Sequence, residues 1–238
     1  MHLSLSLILK AFFIGSTMTI PGVSGGTMAV ITGIYENLIS AINGLRKDLK
    51  KHIIFLLQFA ISALVGFVLF AGIITNLLES PKTGIIIRIV FVVIVLAGIP
   101  TLVKKSNIIK IQASHLLCLI IGAAIVLSIS RLPVGLFSSG TGASYIIMQF
   151  IGGVIVAIAL ILPGISVSHM LYILGLYKPV MENVYSFNWF ILIPLFLGII
   201  IGIFATTNIL EKLLDKYTDK VYMLVIGFVA ASISSLLI

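Results

Sequence analysis

The sequence predicts an all-α polytopic membrane protein built from two inverted repeats. Of its 238 residues, 60% are hydrophobic and only 9% are charged, and the mean hydropathy is +1.28. Such a composition is typical of chains that cross a bilayer several times. A glycine- and serine-rich motif at position 21 also recurs at position 163, 142 residues later, which indicates an internal duplication.

Apolar segments follow one another along the whole chain. Most have 18–23 residues, enough to cross the hydrocarbon core, but the two that follow the motifs (28–42 and 169–181) have only 13–15. We therefore expect 3–42 and 144–181 to form helix–loop–helix hairpins, each re-entering on one face or crossing as a broken pair. The remaining segments are predicted transmembrane helices: 53–75, 85–103, 112–130, 189–207 and 221–238.

The helices group into two halves of one membrane domain that spans residues 1–238. Each half is a broken hairpin followed by two spans, with repeat 1 at about 3–103 and repeat 2 at about 144–238. The segment 112–130 is a linker helix between them. A hairpin contributes an even number of crossings and two spans return the chain to its starting side. Because the linker then crosses once, the second repeat is predicted to be inverted relative to the first.

Basic residues predict the orientation. Ten lysines and arginines fall on one predicted side of the membrane and three on the other, so the positive-inside rule places the N-terminus in the cytoplasm and the C-terminus outside. The net charge of +8 lies in loops beside apolar spans, which favours contact with anionic membrane lipids over nucleic acid. The ten are Arg46, Lys47, Lys50, Lys51, Lys104, Lys105, Lys110, Lys212, Lys216 and Lys220.

The repeated motif is the strongest candidate for a binding site. The first copy runs from Pro21 to Thr27 and the second from Pro163 to His169. We expect helix breaks at Pro21, Gly22, Pro163 and Gly164, after which a new helix starts with free backbone N–H groups inside the membrane. Two such helix starts facing each other would bind one anion, especially a phosphate, reached alternately from either side. The predicted phosphate ligands are Ser24, Gly25, Gly26, Thr27, Ser166 and Ser168.

An alternative interpretation of the motif is purely structural. Glycine and proline also kink membrane helices, and hydroxyl groups then bond back to the freed carbonyls. The duplication favours the binding interpretation, because broken helices at equivalent positions of two repeats are typical of transporter substrate sites.

Five charged or titratable residues outside the core of the motif loops are further candidates. Arg88 and Arg131 could bind the phosphate, although snorkelling to the interface and a role in topology also account for them. Glu36 and Lys178 occupy equivalent positions, so a base at the outer mouth and an acid at the inner mouth could favour capture outside and release inside. His169 could couple transport to protons.

The motif strings resemble those of bacterial polyprenyl-phosphate transporters. The resemblance rests on IPGVSGGTMAVITGIYE and LPGISVSHMLYILGLY and extends over essentially the whole chain. The second string departs from the family's usual PGISGS form at Val167. The resemblance implies a plasma-membrane protein that returns undecaprenyl phosphate from the outer to the inner leaflet and so recycles the lipid carrier of cell-wall synthesis.

The functional prediction is a lipid-phosphate translocase that works by alternating access and is not an enzyme. The chain carries no nucleotide-binding motif, so we expect H⁺, Na⁺ or the lipid gradient to drive transport, with no cofactor and no metal. The alternative is an ion-coupled transporter of a small soluble anion that uses the same site. An intramembrane enzyme is disfavoured because no acid lies beside His169. The oligomeric state and the lipid chain length stay open.

Overall fold

The fold is all-helical over the residues that the computed structural model describes, which are 4–20, 23–137 and 142–236. In these ranges the chain forms eleven α-helices and one short 3₁₀ helix. They are α1 (Leu5–Thr17), α2 (Gly25–Ile31), α3 (Tyr35–Gly44), α4 (Leu49–Glu79), α5 (Pro81–Lys105), α6 (Ala113–Ile129), α7 (Gly142–Ile161), α8 (Val167–Leu174), α9 (Tyr177–Tyr185), the 3₁₀ helix (Trp189–Leu192), α10 (Ile193–Lys216) and α11 (Thr218–Leu236).

Four of the described helices are long and apolar enough to cross a membrane. They are Leu49–Glu79, Lys82–Lys105, Gly142–Ile161 and Trp189–Lys216. In the most apolar stretch of Leu49–Glu79 only 6% of the residues are buried inside the protein, so its apolar side chains face outward, as they do where lipid is the solvent. This agrees with a polytopic membrane protein. The predicted linker span is a 17-residue helix, α6, and the last predicted span, α11, is largely buried among other helices.

Glycines let three pairs of helices pack backbone to backbone. A Cβ added at Gly66 on α4 would lie 2.1 Å from the carbonyl oxygen of Phe12 on α1. A Cβ added at Gly198 on α10 would lie 2.1 Å from the Phe150 carbonyl oxygen of α7. A Cβ added at Gly227 on α11 would clash with α6 in the same way. Small residues at crossing points are typical of helix packing in membranes.

Each hairpin contains one more helix break than the sequence analysis predicted. The expectation of a single helix over 28–42 and another over 169–181 is wrong, because the chain turns at Gly33 and at Gly175. Both glycines have a φ of +73°, a left-handed conformation that costs glycine least. At both turns the residue that follows the glycine closes the preceding helix with an equivalent hydrogen bond. These bonds run from the Ile34 N–H to the Ala29 carbonyl and from the Leu176 N–H to the Leu171 carbonyl.

Helix α11 holds the two halves of the chain together. It packs along α6 and α5, and its residues Val225, Phe228 and Val229 are almost fully buried. Because α2 also packs on α5 and touches α7, the regions of the two motifs are brought into the centre of the protein.

Candidate functional site

The two motif regions are in direct contact in the core. The hydroxyl oxygen of Thr27 accepts a hydrogen bond from the backbone N–H of Gly164 at 2.8 Å, although 137 residues separate them. The Cα of Gly26 also faces the second motif, since a Cβ there would lie 3.4 Å from the Cα of Pro163. Two copies of one sequence feature, far apart along the chain, are therefore neighbours in space.

The first motif is buried. Ser24 precedes α2 with an extended backbone and is 6% exposed, and its hydroxyl makes no capping bond to the helix. Gly25 and Gly26 form the first turn of α2, and Thr27 is 2% exposed. The helix breaks predicted at Pro21 and Gly22 lie outside the described residues; α1 ends before them, at Thr17.

The second motif turns sharply and then exposes its polar side chains. Helix α7 ends at Ile161, and Gly164 makes the turn with a φ of +83°, its Cα so close to α11 that a Cβ would lie 2.5 Å from the Phe228 carbonyl oxygen. Ser166 starts α8 and its hydroxyl accepts from the backbone N–H of His169 at 3.4 Å. Ser168 and His169 are exposed, so the two copies of the motif have different surroundings.

A tyrosine fastens the first repeat to the end of α7. The hydroxyl of Tyr35 donates to the carbonyl oxygen of Ile161 at 2.8 Å, two residues before Pro163, and Tyr35 is 7% exposed. Its counterpart Tyr177 instead stacks on Tyr172 of α8 with ring centroids 4.1 Å apart. The repeated tyrosines thus make different contacts, one across the repeats and one within the second repeat.

A large cavity opens at the end of the protein that carries the basic loops. It has a volume of about 870 Å³ and lies between α3, α5, α10 and α11. Five charged residues line it: Glu36, Lys104, Lys105, Glu211 and Asp215. We call the end of the molecule formed by these residues and by Arg46 and Lys47 the basic end.

Glu36 is the most connected of the charged groups in this cavity. Its carboxylate forms an ion pair with the Lys105 ammonium at 2.9 Å and accepts a hydrogen bond from the Tyr222 hydroxyl. These contacts join α3, α5 and α11. A smaller pocket continues from Lys105 and Tyr222 toward Val30 of α2 and Tyr35. The two tyrosines therefore form part of the wall between the cavity and the first motif.

The other predicted charged site residues differ in how far they are exposed. Arg88 is half-buried on α5, seven residues before the buried Val95, so it lies on the inward stripe of the helix; within the described residues it forms no ion pair. Arg131 is exposed just after α6. Lys178 is exposed and lies 3.7 Å from Glu182 on its own helix.

Two polar clusters were missed by the sequence analysis. Lys105 counts in the sequence only as one of the basic residues that predict the orientation, yet it forms an ion pair with Glu36, which Tyr222 also binds. His115 bonds the Asp219 carboxylate at 2.8 Å and so ties α6 to the start of α11. This bond has the largest effect on the Asp219 carboxyl, and a hydrogen bond from the backbone of Lys220 has the next largest. Together they hold the pKa of Asp219 below its ordinary value. The partners are 69 to 186 residues apart, so no local pattern signals them.

Comparisons with known proteins agree on one family. A family model described as undecaprenyl phosphate translocase-like matches residues 14–238. The chain is 32% identical over 96% of its length to a polyprenyl-phosphate transporter of Vibrio cholerae, covering 76% of that protein. It is 31% identical over 95% of its length to a polyprenyl-phosphate transporter of Staphylococcus aureus, covering 83% of it.

No solved structure matches the chain significantly. The sequence comparisons confirm the resemblance inferred from the two motif strings, and the family model covers both motifs from the end of α1 onward. This chain belongs to the undecaprenyl phosphate translocase-like family.

Proposed function

We propose that this protein is a transporter of polyprenyl phosphate in a bacterial plasma membrane, moving the lipid from the outer to the inner leaflet. The observation that carries the proposal is the similarity, over 96% of the chain, to a protein named polyprenyl-phosphate transporter. The four long apolar helices and the polar cavity at the basic end are compatible with a lipid whose head group crosses through protein while its tail stays in the bilayer.

The phosphate binds, in this proposal, where the two motifs meet. The hydrogen bond between Thr27 and Gly164 supports a shared site, and Ser24 offers a buried hydroxyl that makes no capping bond. Gly25 and Gly26 present backbone N–H groups without side chains to obstruct a ligand. Ser166 and Ser168 complete the set from the second motif. Arg88 is the preferred charged ligand because it lies on the inward stripe of α5, whereas Arg131 is exposed.

We further propose that the two halves are inverted repeats that alternate in access. The order of helices recurs, with α1 to α5 matched by α7 to α11, and the glycine turns at Gly33 and Gly175 are alike. In this state Tyr35 bonds Ile161 across the repeats, while among the described residues Tyr177 makes no hydrogen bond across them. In the opposite state the equivalent contact, shifted by the same 142 residues, would join Tyr177 to the carbonyl of Thr19.

The basic end is, in this proposal, the cytoplasmic end. The large cavity there represents the inward-open state, with the N-terminus in the cytoplasm and the C-terminus outside. Transport needs a driving gradient, for which H⁺ or Na⁺ are the candidates. Glu36, held between Lys105 and Tyr222, and the exposed His169 are the groups proposed to respond to it.

The test is the amount of undecaprenyl phosphate in the outer leaflet. Cells without other recycling transporters would express this protein and be labelled with a membrane-impermeant phosphate-binding reagent. The variants would be S24A/T27A and S166A/S168A. Ser62→Ala is the matched control, because that hydroxyl lies outside the motifs and donates to the Gln58 carbonyl of its own helix.

We expect the unmodified protein and the Ser62→Ala control to lower the outer-leaflet lipid, and both double variants to lose most of this effect. If the unmodified protein leaves the lipid unchanged although it is made and inserted, polyprenyl phosphate is not its substrate, and transport of a small soluble anion becomes the leading function. If the double variants transport normally, the motif hydroxyls are not the binding site.

A further inference from the structure

A second cavity lies beside the first at the basic end. It has a volume of about 340 Å³ and lies between the last turn of α3, the loop to α4 and the second half of α10. Its polar lining includes Asn43, Arg46, Lys47, His52 and Asn208. Ser40 and Glu211 line both cavities, so the two spaces are neighbours that share a wall.

The two cavities differ in charge. The first has Lys104 and Lys105 against three carboxylates, those of Glu36, Glu211 and Asp215. The second has Arg46 and Lys47 against Glu211 alone, with the His52 imidazole in addition. The Glu211 carboxylate also accepts a hydrogen bond from the side-chain amide of Asn43 at 2.7 Å. An anion at the shared wall is therefore attracted toward the second cavity.

Three of the side chains around the second cavity, those of Asn43, Arg46 and His52, make other contacts. The Arg46 guanidinium lies over the ring of Phe204, 5.6 Å from its centroid. The side-chain amide oxygen of Asn43 accepts a hydrogen bond from the buried hydroxyl of Thr207 at 2.8 Å. The His52 ring packs on Gly44 so closely that a Cβ there would lie 2.3 Å from its Nε2 atom. A preordered cationic cavity loses less entropy when it binds an anion.

We propose that this second cavity binds a phosphate monoester, and that it receives the head group of the transported lipid before release at the basic end. The role in release rests on the function proposed above, whereas the binding of phosphate rests on the cavity itself. An arginine, a lysine and two side-chain amides match the negative charge and the acceptor oxygens of a phosphate. The negative first cavity then favours onward movement of the head group over its return.

The experiment measures binding to the purified full-length protein in nanodiscs of uncharged lipid. The probes are a polyprenyl monophosphate of three isoprene units and, separately, inorganic phosphate. The test variant is R46Q/K47Q. Its matched control is K50Q/K51Q, which removes the same charge from the adjoining segment, because Lys50 and Lys51 are exposed and do not line the cavity. Thermal unfolding of each variant shows that it is folded.

We expect R46Q/K47Q to weaken binding of the lipid phosphate at least tenfold and K50Q/K51Q to weaken it less than twofold, because only the first pair lines the cavity and can contact a bound phosphate directly. Equal losses in both variants would mean diffuse attraction to a basic surface and would overturn the proposal. So would binding that neither variant changes, or no binding of either probe.

The two binding probes identify the source of the phosphate, and a separate assay tests the transport function. Binding of inorganic phosphate but not of the lipid, lost only in R46Q/K47Q, would support the cavity as a site for a soluble anion and overturn its role in lipid release. The leaflet assay decides the transport function. A protein that moves the lipid normally while its binding ignores Arg46 and Lys47 would overturn this inference alone.

Discussion

Replacing Tyr35 by phenylalanine tests the bond that joins the first repeat to the second motif. The substitution keeps the ring and removes one hydroxyl. That hydroxyl donates a hydrogen bond to the Ile161 carbonyl at 2.8 Å and so links the two repeats. Both residues are buried, at 7% exposure each. In the part of the chain that the structure describes, no other donor reaches this carbonyl.

The expected loss of stability follows from the absence of a second donor to the Ile161 carbonyl. A hydrogen bond contributes about 0.5–1.5 kcal/mol net, and leaving its buried partner unsatisfied costs about 1–3 kcal/mol. We therefore expect Tyr35→Phe to lower the free energy of unfolding by about 1–3 kcal/mol. The measurement is SDS-titration unfolding of the purified protein in mixed micelles, followed by circular dichroism.

Tyr177→Phe is the matched control for this substitution. Tyr177 occupies the equivalent position of the second repeat, and within the described residues its hydroxyl forms no hydrogen bond, while its ring stacks on Tyr172. The stacking survives the loss of a hydroxyl, so we expect a change below about 0.5 kcal/mol. Equal destabilisation by the two substitutions, or none by Tyr35→Phe, would refute the reasoning.

Two further predictions concern stability. Gly66→Ala should destabilise the protein by about 1–3 kcal/mol or more, because the new Cβ would lie 2.1 Å from the Phe12 carbonyl oxygen and force α1 and α4 apart. The control is Gly72→Ala, whose Cβ would have no atom within 4 Å. This substitution should be neutral or stabilising in the same unfolding assay. Asp219→Asn should destabilise at neutral pH by weakening the bond from His115. Because the folded pKa of Asp219 lies below its ordinary value of 3.8, the stabilisation is present above that value and is lost as the pH falls through the folded pKa, so the difference between the unmodified protein and the variant should vanish in acid. A difference that persists unchanged in acid would contradict this assignment.

The sequence predicted the apolar framework and the pairing of the motifs. The predicted span 53–75 lies inside α4, and 112–130 differs from α6 by one residue at each end, because long apolar runs fix where helices form in lipid. The expectation that the two motif loops meet agrees with the bond between Thr27 and Gly164. The meeting could be inferred because broken helices at equivalent positions of two repeats face each other in many transporters.

The sequence did not predict the finer geometry. Gly33 and Gly175 aligned in the two repeats, but a glycine inside an apolar run is equally compatible with close helix packing, so the turns were missed. The ion pair between Glu36 and Lys105 and the adjoining cavities depend on how α3, α5, α10 and α11 converge. Such convergence is set by packing between distant segments and leaves no periodic signal in the chain.

Tyr35 and Glu36 are neighbours in the first turn of one short helix, yet their side chains bind different parts of the protein. One reaches the carbonyl that precedes the second motif, and the other reaches the ammonium of Lys105 in the open cavity. Since successive residues of a helix move as one rigid unit, a shift of α3 at Glu36 would be carried to Tyr35. A change at the ion pair in the cavity is therefore expected to reach the carbonyl that precedes the second motif.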